Sequence, residues 1–296
     1  MLEVERTISG ALSWGSNLLR EGCIESPRIN AELLLRRVLK INQAEVYLYP
    51  DRVLTQSQFS SYKSLIYRRA GGEPTQYILG SREFWSLDLR ITPEVLIPRR
   101  ETELLVEETL KIFKDERNPS LRFMEVGTGS GALAIALAKE LKGCFIFAED
   151  ISWRAILIAR ENARKHGVLG NIRFWAGDLF SPLRERKCRF DLILSNPPYI
   201  PSSTIETLHR EIAEFEPRIA LDGGSDGLEF FRRMTKGVRA LLKEGGWLML
   251  ELGEGQAEAV ADMIRNTGFF SPPCIIKDHS GTGRVIRARN EGRRHN

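Results

Sequence analysis

The spacing of apolar residues divides the chain into a helical first part and a longer second part in which strands and helices alternate. In the first part apolar residues recur every three or four positions, as they do on one face of a helix. The predicted helices include Leu12–Leu19, a segment that begins at Ser26-Pro27, and Thr55–Ala70. Ile29 is assigned to the inward face of the second helix, and Trp14 and Tyr47 are assigned to the core.

The apolar period changes from helical to two at Glu83, where Phe84, Leu87 and Leu89 alternate with other residues. This alternation, with the apolar residues 95–97 after a turn at Thr92-Pro93, predicts a β-hairpin between two domains. The predicted organisation is a helical bundle over residues 1–82, a hairpin linker over residues 83–98 and a larger domain over residues 99–296. A helix is expected to begin at Pro98, because acidic residues in a first turn complement the helix dipole.

Beyond the hairpin, short apolar runs alternate with helical stretches, which is typical of a parallel sheet covered by helices. The predicted strands are Arg122–Val126, Cys144–Ala148, Asn171–Trp175, Phe190–Leu194, Trp247–Leu252, Cys274–Lys277 and Val285–Ala288. The predicted helices between them are Ala132–Ala138, Ser152–His166, Leu228–Leu242 and Gln256–Asn266. This order predicts an α/β fold, a seven-stranded, doubly wound Rossmann-like domain that follows the small all-helical domain.

Composition and charge narrow the class of protein only slightly. The net charge of +4 over 296 residues is too small to indicate a nucleic-acid-binding protein by itself. Basic residues gather near the end of the chain, at Arg284, Arg287, Arg289, Arg293 and Arg294. A solvated tail explains this cluster as well as a contact with a polyanion does.

The cysteines are scattered, at positions Cys23, Cys144, Cys188 and Cys274, without a Cys-x-x-Cys pair. They are expected to be reduced thiols, and no metal site is expected. The first residues lack a signal-peptide pattern, and no apolar run approaches the roughly 20 residues of a membrane span. The expectation is therefore a soluble, cytoplasmic protein with no membrane partner.

A glycine-rich loop, Gly127–Gly131, joins the first strand of the second part to a helix. Glycines let the backbone turn sharply and approach a ligand closely. The next strand ends in Glu149-Asp150, where a carboxylate can meet the hydroxyl pair of a ribose. These features predict an adenosine-type ligand. Because Gly127, Gly129 and Ala132 also fit the dinucleotide pattern, the loop alone does not separate NAD from S-adenosylmethionine.

The third strand is followed by Gly177–Phe180, which offers further contacts to an adenine. The carboxylate of Asp178 can accept a hydrogen bond from the adenine amine, and Leu179 or Phe180 can pack on the base.

The fourth strand stops abruptly at Asn196-Pro197-Pro198-Tyr199. Neither proline has an N–H, so the backbone offers carbonyl acceptors with few competing donors, and the Asn196 side-chain oxygen adds another acceptor. This cluster suits a guest with two N–H donors on one nitrogen, such as an amide or an aromatic amine. The ring of Tyr199 can lie against that planar group. Because ligands bind outside the carboxyl ends of the strands in open α/β sheets, the loop, the acids and this cluster should converge. That convergence favours methyl transfer to nitrogen over hydride transfer.

Together these motifs resemble the protein-(glutamine-N5) methyltransferases, specifically the peptide chain release factor glutamine methyltransferases of the PrmC/HemK family. The resemblance is carried by Gly72–Gly80, Leu96–Glu103, Glu125–Gly131, Asp150, Asn196–Tyr199, Glu216–Arg218 and Ala220-Leu221. Asn-Pro-Pro-Tyr is shared with DNA adenine methyltransferases and other amino-methylating enzymes, so it does not identify the substrate. The segments specific to this family are Gly72–Gly80, Leu96–Glu103 and the Glu-Pro-Arg block. Arg100 stands where the family commonly has proline, and Leu179 stands where some members carry tryptophan. These two differences affect the expected packing on adenine.

The resemblance implies an enzyme that uses S-adenosyl-L-methionine to methylate the glutamine side chain of the Gly-Gly-Gln motif in release factors, and so supports translation termination. It implies that the helical domain recognises the release factor, with no direct nucleic-acid partner. The expected cofactor-binding residues are Glu125, Gly127, Thr128, Gly129, Ser130, Gly131, Asp150, Asp178, Leu179 and Asn196. The expected catalytic residues are Asn196, Pro197 and Tyr199, and the substrate-binding residues are these three with Pro198. His209 and Glu211 are expected to be surface residues.

Three other functions remain open at this point. An N6-adenine or other amino-group methyltransferase that acts on nucleic acid would need a basic groove and a flipped base. An NAD-dependent oxidoreductase is supported by the glycine loop alone. A non-catalytic adaptor would have no use for Asn196 and Asp150.

Overall fold

The computed structural model describes residues 6–114, 120–181 and 189–292. Cys188, Arg293 and Arg294, which the sequence analysis singled out, lie outside the described residues. The chain divides into two compact units, one of Met1–Ser81 with His209–Phe215 and the other of Arg82–Leu208 with Glu216–Asn296. The roles assigned to the predicted domains and to the linker stay predictions.

The chain begins with helices and continues with a mixture of strands and helices. The described helices are α1 (Ile8–Glu21), α2 (Pro27–Leu39), α3 (Gln43–Leu48), α4 (Gln56–Ala70), α5 (Thr75–Leu79), α6 (Glu103–Phe113), α7 (Ala132–Glu140), α8 (Trp153–Lys165), α9 (Ser202–Ile205), α10 (Arg210–Phe215), α11 (Glu229–Gly237) and α12 (Ala257–Arg265). The described strands are β1 (Ser81–Phe84), β2 (Leu87–Arg90), β3 (Arg122–Val126), β4 (Phe145–Asp150), β5 (Ile172–Ala176), β6 (Phe190–Ser195), β7 (Leu242–Glu251), β8 (Cys274–Lys277) and β9 (Gly283–Arg289). None of these helices combines the length and apolar character that crossing a membrane requires.

The first unit is a bundle of helices around one apolar core. Its long helices α1, α2 and α4 contribute buried side chains such as Leu19, Leu34 and Ile66. Thr55 caps α4 by accepting a hydrogen bond from the Gln58 backbone, while the Gln58 side chain accepts one from the Thr55 backbone. The three long helices match the predicted ones, whereas α3 and α5 are too short for their apolar period to be recognised.

Two residues of this unit were wrongly assigned to the interior. Ile29 is 62% exposed, because the buried face of α2 is formed by Ala31, Leu34 and Leu35. Tyr47 is 53% exposed on the single turn of α3, where its hydroxyl donates a hydrogen bond of 2.6 Å to Glu32. Trp14 is half-buried and packs against the core as expected.

The second unit holds a seven-stranded sheet with the order β5-β4-β3-β6-β7-β9-β8. Strands β3 to β7 run parallel, and β9 is antiparallel to both of its neighbours. The predicted Rossmann-like α/β fold is confirmed. The strand order reverses between β3 and β6, which are paired in register up to Val126 opposite Ser195. The loops that leave these two strands therefore start side by side.

A separate two-stranded hairpin of β1 and β2 is present, but its turn is Trp85-Ser86. The hairpin turn predicted at Thr92-Pro93 is wrong, because residues 91–102 form no strand. Both residues of the observed turn, Trp85 and Ser86, have positive φ angles of 51° and 57°. This conformation matches the right-handed twist of a two-residue hairpin. The following helix α6 begins at Glu103 and not at Pro98, because residues 91–102 form an irregular segment.

The interpretation of the basic C-terminal residues as a solvated tail is wrong for three of them, since they belong to β9. Arg284 donates to Asp278 at 3.0 Å, and Arg287 donates to the buried Glu108 at 2.9 Å. The guanidinium of Arg289 stacks over Trp247, as does that of Arg287. All three side chains therefore contact other residues of the second unit.

The helix predicted over Leu228–Leu242 ends early. Helix α11 stops at Gly237, a single 3₁₀ turn follows, and Leu242 already pairs with Phe190 as the first residue of β7. The sequence pattern predicts a single helix because the apolar residues Leu241 and Leu242 follow the helix without a polar break.

Candidate active site

A cavity of about 470 Å³ lies in the second unit, outside the carboxyl ends of β3, β4 and β6. This volume falls within the range of small-molecule pockets. Residues from four of the predicted segments line it, namely Gly127, Gly129, Asp150, Asp178, Leu179, Asn196 and Pro198. The predicted convergence of the glycine loop, the acidic strand ends and the Asn-Pro-Pro segment is therefore present in the structure.

The glycine loop has three residues with positive φ, Gly127 (74°), Gly129 (54°) and Gly131 (83°). A Cβ on Gly129 would meet nothing within 4 Å, and one on Gly127 would meet only the Asn196 carbonyl at 3.9 Å. A Cβ on Gly131 would lie 3.1 Å from the Cβ of Ala159. The first two glycines thus open the backbone toward the cavity, whereas the third permits close packing of the helices.

Glu125 and Thr128 lie beneath the loop and do not line the cavity. The Thr128 hydroxyl donates to Glu125 Oε2 at 2.7 Å, and the backbone N–H of Ala134 donates to the same oxygen at 3.1 Å. Burial raises the pKa of Glu125 to about 8. The Ser130 carbonyl accepts a hydrogen bond of 2.9 Å from Asn162. These contacts hold the loop in shape rather than reaching into the cavity.

Asp150 ties the loop to the end of β4. One carboxylate oxygen accepts from the Gly129 backbone and the other from the Ser152 backbone, both at 2.8 Å. Burial raises the pKa of Asp150, and these two hydrogen bonds lower it. The carboxylate therefore lies at the cavity wall in a fixed orientation, at the strand end where the sequence predicts a ribose contact.

Glu149 is a second acid at this strand end, and the sequence analysis gave it no role. Its side chain is buried, and it lines the cavity. Burial and the neighbouring charge of Asp150 raise its pKa to about 9, while hydrogen bonds from the backbones of Gly127 and Leu179 lower it. Glu149 thus connects two of the loops that line the cavity. Its signal was visible, since the sequence has two adjacent acids at one strand end.

The loop after β5 brings Asp178 and Leu179 to the cavity but places Phe180 elsewhere. Both Asp178 oxygens accept from the guanidinium of Arg233 at 2.7 Å. Leu179 is buried with a positive φ of 53°. The Phe180 ring packs against helix α11, where a Cβ on Gly237 would come within 2.4 Å of it. Of the two residues expected to pack on an adenine, only Leu179 lines the cavity.

The acceptor cluster after β6 is arranged around Asn196. The Asn196 Nδ2 donates to the Thr102 hydroxyl at 2.9 Å, which leaves the Oδ1 atom of the same amide as an acceptor. Among the residues that the structure describes, none donates to this oxygen or to the Pro197 carbonyl. Asn196 and Pro198 line the cavity, Pro197 is buried, and Tyr199 is half-buried with its hydroxyl 3.5 Å from Glu251.

A brace formed by residues 216–227 holds this segment. Ile200 donates to the Leu221 carbonyl at 2.9 Å and accepts from Gly223 at 2.8 Å. The Gln256 side chain donates to the Tyr199 carbonyl at 2.9 Å. A Cβ on Gly227 would lie 2.4 Å from that same carbonyl oxygen, so only glycine allows this approach.

The brace and two other segments also supply cavity residues that were not predicted as site residues, including Glu94, Val95, Leu96, Ile219, Ala220, Phe230 and Arg233. Leu96 and Ala220 belong to segments that carry the family resemblance, so their signal was present as a motif without a role. Phe230 and Arg233 lie on α11, where nothing in the sequence pattern separates them from an ordinary helix face.

His209 and Glu211 belong to the first unit. The Glu211 carboxylate pairs there with the buried Arg69. Within the described residues, no group of three or more His, Cys, Asp and Glu side chains is placed to hold a metal ion.

Comparison with known proteins identifies relatives for the whole chain. A model of the PrmC N-terminal domain matches residues 10–80, and a methyltransferase domain model matches residues 117–278. The release factor glutamine methyltransferase of Geobacter sulfurreducens is 43% identical over 285 residues, which are 96% of this chain and 96% of that protein. The enzyme of the same name from Moorella thermoacetica is 38% identical over 282 residues, with 95% and 98% of the two chains covered.

Among solved structures, the hMettl16 catalytic domain in complex with MAT2A 3'UTR hairpin 1 has a TM-score of 0.56 and 16% sequence identity. The match covers 82% of this chain and 84% of that chain. At this identity the likeness concerns the fold alone.

The burial of Glu149 predicts a pH dependence of stability. Its folded-state pKa of about 9 lies above the ordinary 4.5, so the folded protein holds a proton that the unfolded chain releases. The resulting stabilisation is complete below the ordinary pKa and is lost as the pH rises through the folded one. In Glu149→Gln this loss is absent, and the unfolding temperature of the variant should therefore improve relative to wild type from about pH 5 to about pH 9. Thermal unfolding followed by circular dichroism tests this, with the exposed Glu258→Gln as control; parallel curves for wild type and Glu149→Gln would contradict it.

Proposed function

This chain belongs to the release factor glutamine methyltransferases, and from that premise we propose that it methylates the side-chain amide nitrogen (N5) of the glutamine in the Gly-Gly-Gln motif of release factors, with S-adenosyl-L-methionine as the methyl donor. The observation that carries the proposal is the in-register pairing of Val126 with Ser195. It places the open glycine loop beside the Asn-Pro-Pro segment, and Gly127, Gly129, Asn196 and Pro198 line one cavity.

The cavity residues fit an adenosine-containing methyl donor. Gly127 and Gly129 leave space that any side chain would fill, and the Asp150 carboxylate lies where a ribose diol can donate to it. Leu179 offers an apolar surface for the base, with the Asp178 carboxylate beside it. The loop residues Glu125, Thr128, Ser130 and Gly131 act in this proposal by holding the loop in shape. When bound, S-adenosyl-L-methionine supplies an electrophilic methyl group on a sulfonium centre.

The difficulty of the reaction lies in the substrate nitrogen. The lone pair of an amide nitrogen is delocalised into its carbonyl, so the nitrogen is a poor nucleophile. We assign the Asn196 Oδ1 atom and the Pro197 carbonyl to accept the two N–H bonds of the substrate amide. Fixing both bonds aligns the nitrogen for attack, and alignment of this kind can contribute several kcal/mol. The N–C bond would form as the S–C bond of the donor breaks to leave a neutral thioether, and the methylated nitrogen would lose one proton to water.

The other residues around the substrate amide are also assigned roles. The acceptor dipoles are fixed by the backbone and favour the positive charge that develops on the nitrogen. Pro198 restricts the backbone next to them, and Tyr199 is assigned to stack against the amide plane. Oriented acceptors of this kind support methyl transfer to an amide NH₂ group.

Labelling with tritiated S-adenosyl-L-methionine tests the function. The substrates are a release factor, the same factor with the glutamine of its Gly-Gly-Gln motif replaced, and a DNA duplex. Label in the first protein and in neither of the others is the expected result. Label in the substituted factor would exclude the assigned glutamine, and label in DNA alone would favour a nucleic-acid methyltransferase.

Replacing Asn196 removes one of the two assigned acceptors. Asn196→Ala should lower kcat by roughly a hundredfold or more, as is typical when one fixed polar group of a transition state is removed. The affinity for S-adenosyl-L-methionine should change little. Steady-state kinetics with Asn266→Ala, a surface substitution, as control measures this, and near-normal turnover would refute the role of Asn196.

Replacing Asp150 acts on the cofactor instead. Asp150→Ala removes a charged acceptor and frees the Gly129 backbone, so the affinity for S-adenosyl-L-methionine should fall by roughly tenfold or more. Isothermal titration calorimetry measures the change, with the exposed Asp262→Ala as a matched control. An unchanged dissociation constant would remove Asp150 from the binding site.

A further inference from the structure

Two buried side chains outside the cavity lining connect to Asn196. Thr102 and Glu251 are 4% and 1% exposed, and neither lines the cavity. The Asn196 Nδ2 donates to Thr102 Oγ1 at 2.9 Å, and Thr102 Oγ1 donates to Glu251 Oε2 at 2.7 Å. Three separate segments of the second unit, the residue before α6, the end of β7 and the exit of β6, therefore meet in one chain of hydrogen bonds.

Helix capping does not account for Thr102. It occupies the N-cap position of α6, where a threonine side chain ordinarily accepts a hydrogen bond from the first turn. Thr102 makes no such bond, and its hydroxyl is directed to Glu251 and Asn196 instead. The side chain is thus committed to the site and not to the helix.

The direction of these bonds selects one orientation of the Asn196 amide. An ionised carboxylate only accepts hydrogen bonds, so the single proton of the Thr102 hydroxyl goes to Glu251. The Thr102 oxygen can then only accept, and the group that faces it must be the Asn196 NH₂. An amide turned by 180° has almost the same shape but would place Oδ1 against an oxygen with no proton to give.

This selection matters for the reaction. We propose that Thr102 and Glu251 are positioning residues, which hold the Asn196 side chain with Oδ1 toward the substrate nitrogen. The inference rests on the proposed function, because the turned amide would present N–H donors to the two N–H donors of the substrate glutamine. Neither residue is assigned a contact with the substrate or the cofactor.

The surroundings of Glu251 make the selection sensitive to pH. Burial raises the pKa of Glu251 to about 7, with Glu101 raising it further and the Thr102 hydroxyl, Arg284 and Tyr199 lowering it. A protonated Glu251 can donate to Thr102, whose own proton is then free to bind Oδ1 in the turned orientation. Activity that depends on this carboxylate should therefore fall as the pH drops below about 7.

Substitutions at Thr102 provide the first test. Thr102→Val removes the hydroxyl that accepts from Asn196 and donates to Glu251. It should lower kcat for release factor methylation roughly tenfold, because the Asn196 amide is no longer oriented, with cofactor affinity unchanged. Thr102→Ser keeps the hydroxyl and should restore most of kcat. The matched control is Thr109→Val in α6, which removes an equally buried hydroxyl bonded to the Leu105 carbonyl at 2.8 Å. Its unfolding temperature should fall about as much as that of Thr102→Val, without the loss of kcat.

Glu251→Gln provides the second test, which can be carried out even if Thr102→Val does not fold. The variant should have a lower kcat than wild type and should lack the decline below about pH 7. The inference is overturned if Thr102→Val keeps the wild-type kcat, or if Thr102→Ser or Thr109→Val loses as much kcat as Thr102→Val. It is also overturned if Glu251→Gln has the same pH profile as wild type.

A readout without turnover separates this inference from the proposed function. The side-chain NH₂ resonances of Asn196, identified by their loss in Asn196→Ala, should exchange slowly with solvent in wild type and faster in Thr102→Val and Glu251→Gln. Unchanged exchange overturns the positioning role even if the enzyme methylates release factors. Failure of the wild type to label the release factor refutes the proposed function, and the exchange rates still decide whether Thr102 and Glu251 orient Asn196.

Discussion

The site depends on the parallel pairing of β3 with β6, which places Val126 opposite Ser195. These two strands are where the strand order reverses, so the loops that follow them separate to opposite sides and leave a crevice between them. The Ser195 hydroxyl reinforces the pairing by donating to the Val126 carbonyl at 2.7 Å. A shift of this register by one residue would separate Gly127 from Asn196 and dismantle the site.

Buried carboxylates hold the loops around this crevice in place. Glu125 binds the glycine loop from below, Glu149 connects that loop to Leu179, and Glu251 connects Thr102 to the acceptor cluster. Burial raises the pKa of each of them. Burying an acid is unfavourable unless it accepts hydrogen bonds, and in this protein the partners are the backbone and hydroxyl groups that must not move. Burial of these acids lowers the stability of the protein, and their hydrogen bonds make the site rigid.

The strands and most helices could be predicted because their apolar periods are strong, and the glycine loop, Asp150 and Asn196 could be predicted because their positions at strand ends are fixed by topology. Phe180 and Ile29 could not be placed, since an apolar residue next to a turn packs inward or outward according to its neighbours. Arg284 could not be separated from a tail, because charge alone does not reveal that Asp278 lies beside it. Thr102 lies in a segment that carries the family resemblance, but its role and that of Glu251 could not be predicted, because their hydrogen bond joins residues that are 149 positions apart.

Glu216–Arg218 is one of the segments that specifically resemble the family, and together with the glycines after it this segment holds the acceptor cluster in place. The buried Glu216 pairs with Arg99 at 2.6 Å, and a few residues later the chain runs beside Ile200 with backbone hydrogen bonds in both directions. Gly223 and Gly227 are needed because any side chain there would strike the backbone of Tyr199. Asn-Pro-Pro-Tyr cannot form ladder bonds at its prolines, so it needs a partner strand to fix it from outside. The brace supplies that partner, which makes the acceptor cluster rigid without adding a donor to it.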